Sequence, residues 1–210
     1  MNKKASTVRG ARQWRVAVWA ALAAVCSPVL AHSGHTEHQG HARSPSAQIA
    51  RSNVTYALPN VTLVRADGAK VSFPAEIEDG KPVLLQFVYT TCTTVCPLMS
   101  QVFSEVQAKL GEECNRMRMV SISIDPEHDT PARLAEHARK FGAGPHWQHY
   151  TGSTQASLAL QRAFNAYRGE KMNHLPITFL RAAPGRPWVR LEGFASADQL
   201  LREYRNLVSR

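Results

Sequence analysis

Two cysteines four residues apart, in Thr91-Cys92-Thr93-Thr94-Val95-Cys96-Pro97, are the residues of this 210-residue chain whose types and spacing most directly offer chemistry. Across a loop that enters a helix, this spacing lets two thiols share a metal ion or close a disulfide. Unpaired amides and the dipole at a helix N-terminus stabilise thiolates, so both cysteines are expected to have lowered pKa values and to serve as ligands or nucleophiles. A purely structural bridge fits less well, because closing so small a loop removes little chain entropy. The spacing is also one residue longer than the C-x-x-C of dithiol redox sites, which weakens a catalytic reading without removing it.

The elements that must position these thiols can be read from periodicity. Val83–Tyr89 is an unbroken β-rich run suited to a buried central strand, and it leads straight into the cysteines. Pro97, followed by Leu98, Val102, Val106 and Leu110, predicts a helix over Pro97–Leu110 stopped by Gly111. Upstream, Val61–Val64 and Lys70–Phe73 flank the turn-forming Asp67-Gly68 as a hairpin. Downstream come a buried strand, Met117–Ile124, and a helix to Phe141 opened by Thr130-Pro131. A short strand precedes a helix over Thr154–Tyr167, then the paired strands Ile177–Leu180 and Val189–Leu191. The last helix runs to Val208 and is opened by a capping box of Ser196 and Gln199. This order, with cysteines at the first strand-to-helix junction of the sheet, resembles a thioredoxin-like α/β fold: a central mixed sheet flanked by helices.

A third donor would tilt the cysteine pair towards metal. Taken alone, a histidine before a strand is an ordinary surface or capping residue. His174 gains weight because Met172-Asn173-His174-Leu175-Pro176 leads into the late strand, whose start lies beside the cysteine loop in a thioredoxin-like topology. Two thiolates and one imidazole suit Cu(I), and the trigonal set also accepts Cu(II). A structural zinc site wants a fourth protein ligand, and none is evident.

Three separated segments carry a family resemblance. Phe87-Val88-Tyr89-Thr90-Thr91-Cys92-Thr93-Thr94-Val95-Cys96-Pro97, then Ser121-Ile122-Ser123-Ile124-Asp125-Pro126-Glu127-His128-Asp129-Thr130-Pro131, then His174 before a strand, resemble the Sco/SenC family in order and spacing. The resemblance covers roughly Val54 to Arg210. It implies a thioredoxin-like fold with copper held by Cys92, Cys96 and His174. It also implies a role in assembling the dinuclear copper site of cytochrome oxidase subunit II, by delivering copper or by keeping that subunit's thiols reduced. Members are often membrane-anchored. This chain departs from many relatives in having Asn173, not Asp, before the histidine, which removes a charge that orients the ring or tunes the metal. Pro176 stands near the position where thioredoxin-like folds carry a cis-proline; the plainer reading is a strand-initiating proline. In some members the acid corresponding to Asp125 is thought to take part in redox response or docking. The simpler expectation is that Asp125 stabilises a turn and Asp129 favours the positive end of the next helix. Cys114 has no evident partner and is expected to be a free, partly buried thiol.

The formal net charge of +9 resembles a nucleic-acid signal until Lys3, Lys4, Arg9, Arg12 and Arg15 are seen to precede an apolar run with no acid among them. The remaining charge is interspersed, with no aromatic residues alternating with a basic run, so no nucleic-acid partner is expected. Residues 1–31 have the parts of an export signal: a basic start, the apolar run Val16–Val25, and Val29-Leu30-Ala31 as a cleavage site. An uncleaved anchor, giving membrane association through the leader, is the rival reading. Cys26 invites lipid attachment, but Val25 stands where that signal wants a small residue. Residues 32–52 are short of large apolar side chains and rich in His, Ser, Gly and Gln, and are expected to form a flexible tether. His32, His35, His38 and His41 within it suit metal capture. Residues 53–210 are expected to be the folded domain, exported to the periplasm or the outer face of the inner membrane. Three activities remain in play: copper chaperone, thiol–disulfide oxidoreductase acting on the oxidase subunit or with a thiol reductase, and copper-responsive sensor.

Overall fold

The computed structural model describes residues 49–209. The leader, the four tether histidines and Cys26 therefore lie outside the described residues.

The central strand β4, Val83–Val88, is buried at every position, and Gln86 is its one polar side chain. It lies between two neighbours of opposite sense. β5, Arg118–Ser123, runs parallel to it, and β7, Ile177–Arg181, runs antiparallel. The sheet is completed by β8 (Trp188–Glu192) and β1 (Ala50–Val54) beyond β7, and by β6 (Trp147–Gly152), β2 (Thr62–Arg65) and β3 (Lys70–Ser72) beyond β5. The resulting order is β1-β8-β7-β4-β5-β6-β2-β3, a mixed eight-stranded sheet.

Alternation along the strands divides the core in two. Val83, Leu85 and Phe87 face one side with Val120, Ile122 and Phe179, where α1 (Phe73–Ile77) and α4 (Thr154–Ala163) cover them. Leu84 and Met119 face the other side with Leu180 and Val189, under α2 (Val95–Leu110) and α5 (Ala197–Val208). The edge of that second layer carries α3, Pro131–Lys140. Burial of both faces explains why β4 reads as an almost wholly apolar run. The α/β class and the mixed sheet flanked by helices are those expected.

Several boundaries differ from the sequence reading, each for a local reason. α2 starts two residues earlier, at Val95, and takes Cys96 into its first turn; Pro97 fits there because first-turn amides have no intrahelical partner. α4 ends at Ala163, because Asn165 adopts φ 49° and the Ala166 amide closes back on the Gln161 carbonyl at 2.7 Å. Phe73 begins a short helix with Pro74 in its first turn instead of ending β3. β1 takes residues 50–52 from the segment read as tether. Its Ala-Arg-Ser-Asn-Val sequence shows no apolar alternation, and it is held by pairing with β8 and by Arg51 on Glu203 at 3.0 Å. The capping box of α5 and the Thr130 cap of α3 form as expected.

Candidate functional site

The cysteines occupy the loop that joins the carboxyl end of β4 to α2. Backbone pairing continues one step past the strands, with the Ile124 amide donating to the Val88 carbonyl at 2.9 Å, so the loop leaves a fixed platform. The Cys92 amide closes a turn onto the Tyr89 carbonyl at 3.1 Å. Cys92 and Cys96 are both buried free thiols, packed with Val88 and Tyr89 in a small cluster separate from the two main cores.

The amide of Cys96 donates to Cys92 Sγ at 3.3 Å, the geometry expected where a helix N-terminus aims its unpaired N–H groups at a sulfur. Burial pushes the Cys92 thiol up. The amides of Cys96 and Thr94, with the Cys96 thiol and the Tyr89 hydroxyl, outweigh it and bring Cys92 down to about 7. The expectation that both thiols would be acidic fails at Cys96. That side chain is 1% exposed, and burial, followed by its hydrogen bond with Cys92 and the charges of Cys92 and Asp129, pushes its pKa up. The pair is therefore asymmetric: one thiol poised to ionise, one held as a thiol.

His174 ends the 3₁₀ turn Lys171–Asn173 that precedes β7. Its Nε2 lies 3.1 Å from the Phe87 carbonyl oxygen, in the strand that feeds the cysteine loop. A carbonyl only accepts, so Nε2 carries the proton and Nδ1 keeps its lone pair. The half-buried ring also packs edge-on to Tyr89 at 6.4 Å between centroids. Burial lowers its pKa, with the Arg168 charge adding to the effect and the Phe87 carbonyl opposing it. The Leu175–Pro176 peptide is trans, so Pro176 is the plain strand-initiating proline. Among the described residues, no three His, Cys, Asp or Glu side chains converge into a ready-made metal cage. The two cysteines are brought together, and His174 is placed against the strand and aromatic ring that lead into their loop.

Tyr89 connects these pieces. It packs with Cys92, its hydroxyl donates to Met172 Sδ at 3.7 Å, and Lys171 Nζ stands 5.8 Å from its ring centroid. Lys171 in turn binds Asp125 at 2.5 Å, and His128 Nδ1 lies 3.1 Å from the same carboxylate. Burial raises the Asp125 pKa, but these two partners outweigh it and leave it lowered. Asp125 thus stabilises its turn, as expected, and also fastens the His174 segment to β5.

Asp129 does more than favour a helix end. Fully buried, it accepts from the Thr90 amide at 3.1 Å, from Thr90 Oγ1 at 2.5 Å and from Ser123 Oγ at 2.6 Å, tying the start of the cysteine loop to the end of β5. The motif Asp125-Pro126-Glu127-His128-Asp129 was the available signal, but Thr90 is 39 residues away and nothing local announces that contact. Cys114 is a buried free thiol whose Sγ lies 3.9 Å from Met119 Sδ, and burial raises its pKa.

Comparison with known proteins follows the same outline. Residues 55–209 match the family model described as SCO1/SenC. The SCO1 protein homolog of Bacillus subtilis (strain 168) is 31% identical over 112 residues, covering 53% of this chain and 57% of that protein. The chain spans about half the length of the curated relatives it matches. Among solved structures, BsSco, a member of the Sco family of cytochrome c oxidase assembly proteins with a disulfide switch, is similar with TM-score 0.63 and 24% identity. That match covers 75% of this chain and 96% of BsSco. Bradyrhizobium japonicum ScoI with copper bound is similar with TM-score 0.59 and 24% identity, over 70% of this chain and 96% of ScoI. At these identities the structural likenesses establish the thioredoxin-like fold.

Proposed function

The chain belongs to the SCO1/SenC family, and on that premise we propose that it binds copper through Cys92, Cys96 and His174 and helps assemble the copper site of a respiratory cytochrome oxidase. The observation that carries the reading is the Cys96 amide on Cys92 Sγ at 3.3 Å, which holds one acidic thiol beside a second at a helix N-terminus. The donor set suits the cargo: two sulfurs and an imidazole nitrogen match Cu(I), and Nδ1 of His174 is the free nitrogen because Nε2 is held by Phe87.

Cys92 supplies a thiolate near neutral pH, whereas Cys96 gives up its proton as it takes the metal. Ligand exchange onto the thiolates of oxidase subunit II then releases the copper. A Cys92–Cys96 disulfide removes both sulfur ligands, so the redox state gates loading in an oxidising compartment. The leader supports export to the periplasm or the outer face of the inner membrane.

A second reading is favoured by the thiol asymmetry. An acidic Cys92 beside a buried, protonated Cys96 is also the pattern of a dithiol that attacks and then resolves a partner's disulfide, here the cysteine pair of subunit II.

Copper stoichiometry and thiolate-to-copper absorption, measured on reduced protein, separate the two. Wild type is expected to hold one copper, and Cys92→Ala, Cys96→Ala and His174→Ala each to lose tight binding. His174→Ala is expected to retain thiol–disulfide exchange. A His174→Ala protein that binds copper like wild type overturns the three-residue site and moves the reductase reading ahead.

A further inference from the structure

The described methionines fall into two kinds. Met99, Met117 and Met119 are core residues, exposed by 3%, 2% and 0%, as expected of a flexible apolar side chain that fills irregular gaps. Met172 is 77% exposed. A surface thioether is unremarkable by itself, but this one is placed: the 3₁₀ turn Lys171–Asn173 carries it, and its Sδ lies 3.7 Å from the Tyr89 hydroxyl. The same tyrosine packs with Cys92. Two residues along the chain, the His174 ring packs against the Tyr89 ring. A soft sulfur therefore stands on the solvent side of Tyr89, with the thiol and the imidazole of the proposed site grouped around the same side chain.

We propose that Met172 is a further copper ligand of this protein, a thioether that takes Cu(I) from solution or from a donor at the mouth of the cysteine loop. The inference rests on the copper-binding reading above. Thioether sulfur is a soft ligand and prefers Cu(I) to Cu(II). It coordinates without losing a proton, so capture at Met172 needs no base and no change of oxidation state. Copper arrives as Cu(I), exchanges one ligand for the thioether, and remains Cu(I). Exposure lets the sulfur meet the incoming ion, and the Tyr89 hydroxyl holds it beside the residue that packs with Cys92.

The test is X-ray absorption at the selenium edge of full-length, reduced protein carrying selenomethionine and loaded with Cu(I). A selenium–copper scattering path is expected in the wild type and absent in Met172→Leu; no such path in the wild type overturns the proposal. Leucine keeps the apolar bulk, so a role in greasy contact with a partner survives the substitution while ligation does not. Competition with a chromophoric Cu(I) chelator is expected to show about tenfold weaker Cu(I) affinity in Met172→Leu and unchanged Cu(II) affinity; unchanged Cu(I) affinity also counts against it. Cys92→Ala run alongside keeps the two readings apart. If that variant loses copper while selenium sees none in the wild type, Met172 is excluded and the cysteine site stands. If Cys92→Ala keeps its copper, the underlying reading has failed.

Discussion

Asp129 and His149 are equally hidden from solvent, at 0% and 1% exposure, yet their surroundings are opposite. Asp129 receives three donating groups from Thr90 and Ser123. His149, on β6 beneath α3, has no hydrogen-bond partner of acceptable geometry at either ring nitrogen, although the Trp147 backbone is near enough to favour the protonated ring slightly. Its neighbours are the rings of Trp147 at 5.1 Å and His137 at 5.7 Å. The saturated group is the one attached to the cysteine loop. Burial becomes useful there because the partners convert a desolvated carboxylate into a fixed anchor, whereas at His149 it only holds an imidazole neutral.

The contrast can be broken most forcefully at the anchor. Asp129→Ala strands the Thr90 and Ser123 donors, and the expected loss is about 2–4 kcal/mol of stability, read from urea unfolding. The pH profile of Cys92 alkylation should shift with it, because the loop loses its tie to β5. A loss below about 1 kcal/mol with an unchanged profile would show that the loop is held by its other contacts. Asp129→Asn keeps one accepting oxygen and turns an amide towards the donors; about half of that loss is expected, by the same measurement.

At His149 the effect depends on pH. Burial, aided by the His137 charge, lowers its pKa from 6.5 to about 3, so the unfolded chain takes up a proton that the folded chain refuses. Stability from this group is complete above about pH 6.5 and falls as pH drops towards 3, by about 1.4 kcal/mol per pH unit. His149→Leu should flatten that acid limb in chemical unfolding measured at pH 7, 6 and 5. The smallest effect is expected from the same variant at pH 7, within about 1 kcal/mol of wild type, because an unpaired imidazole contributes mainly volume there. An equally steep acid limb in His149→Leu would assign the slope to His137 or to the carboxylates.

This contrast also marks the limit of what sequence could reveal. Val83–Val88 and the Cys92/Cys96 loop were legible because an unbroken β-rich run, a helix spacing and a proline are local facts. The same holds for the Thr130 and Ser196 caps. β1 was not legible, since its order comes from pairing with β8 and from Arg51 on Glu203, 152 residues away. The acidic Cys92 was legible from the helix end. The raised Cys96 was not, because its burial depends on the packing of Val88 and Tyr89 around it. Asp129 belonged to a visible motif, but its work is done on a residue from another strand–helix junction.

The bond from His174 to the Phe87 carbonyl spans 87 residues of chain, and its consequence concerns the order in which the molecule is built. Both cysteines, with the strand and helix that flank them, are synthesised long before the His174 ring that bonds to Phe87 and packs against Tyr89. Pairing of β7 against β4 closes that long loop, and contacts of such high sequence separation form late and slowly because their entropy is lost before they are rewarded. A growing chain therefore presents its two thiols first and gains the His174–Phe87 bond only once β7 has paired with β4. During that interval the thiols are open to oxidation, so the redox conditions met while the chain folds decide whether they stay free.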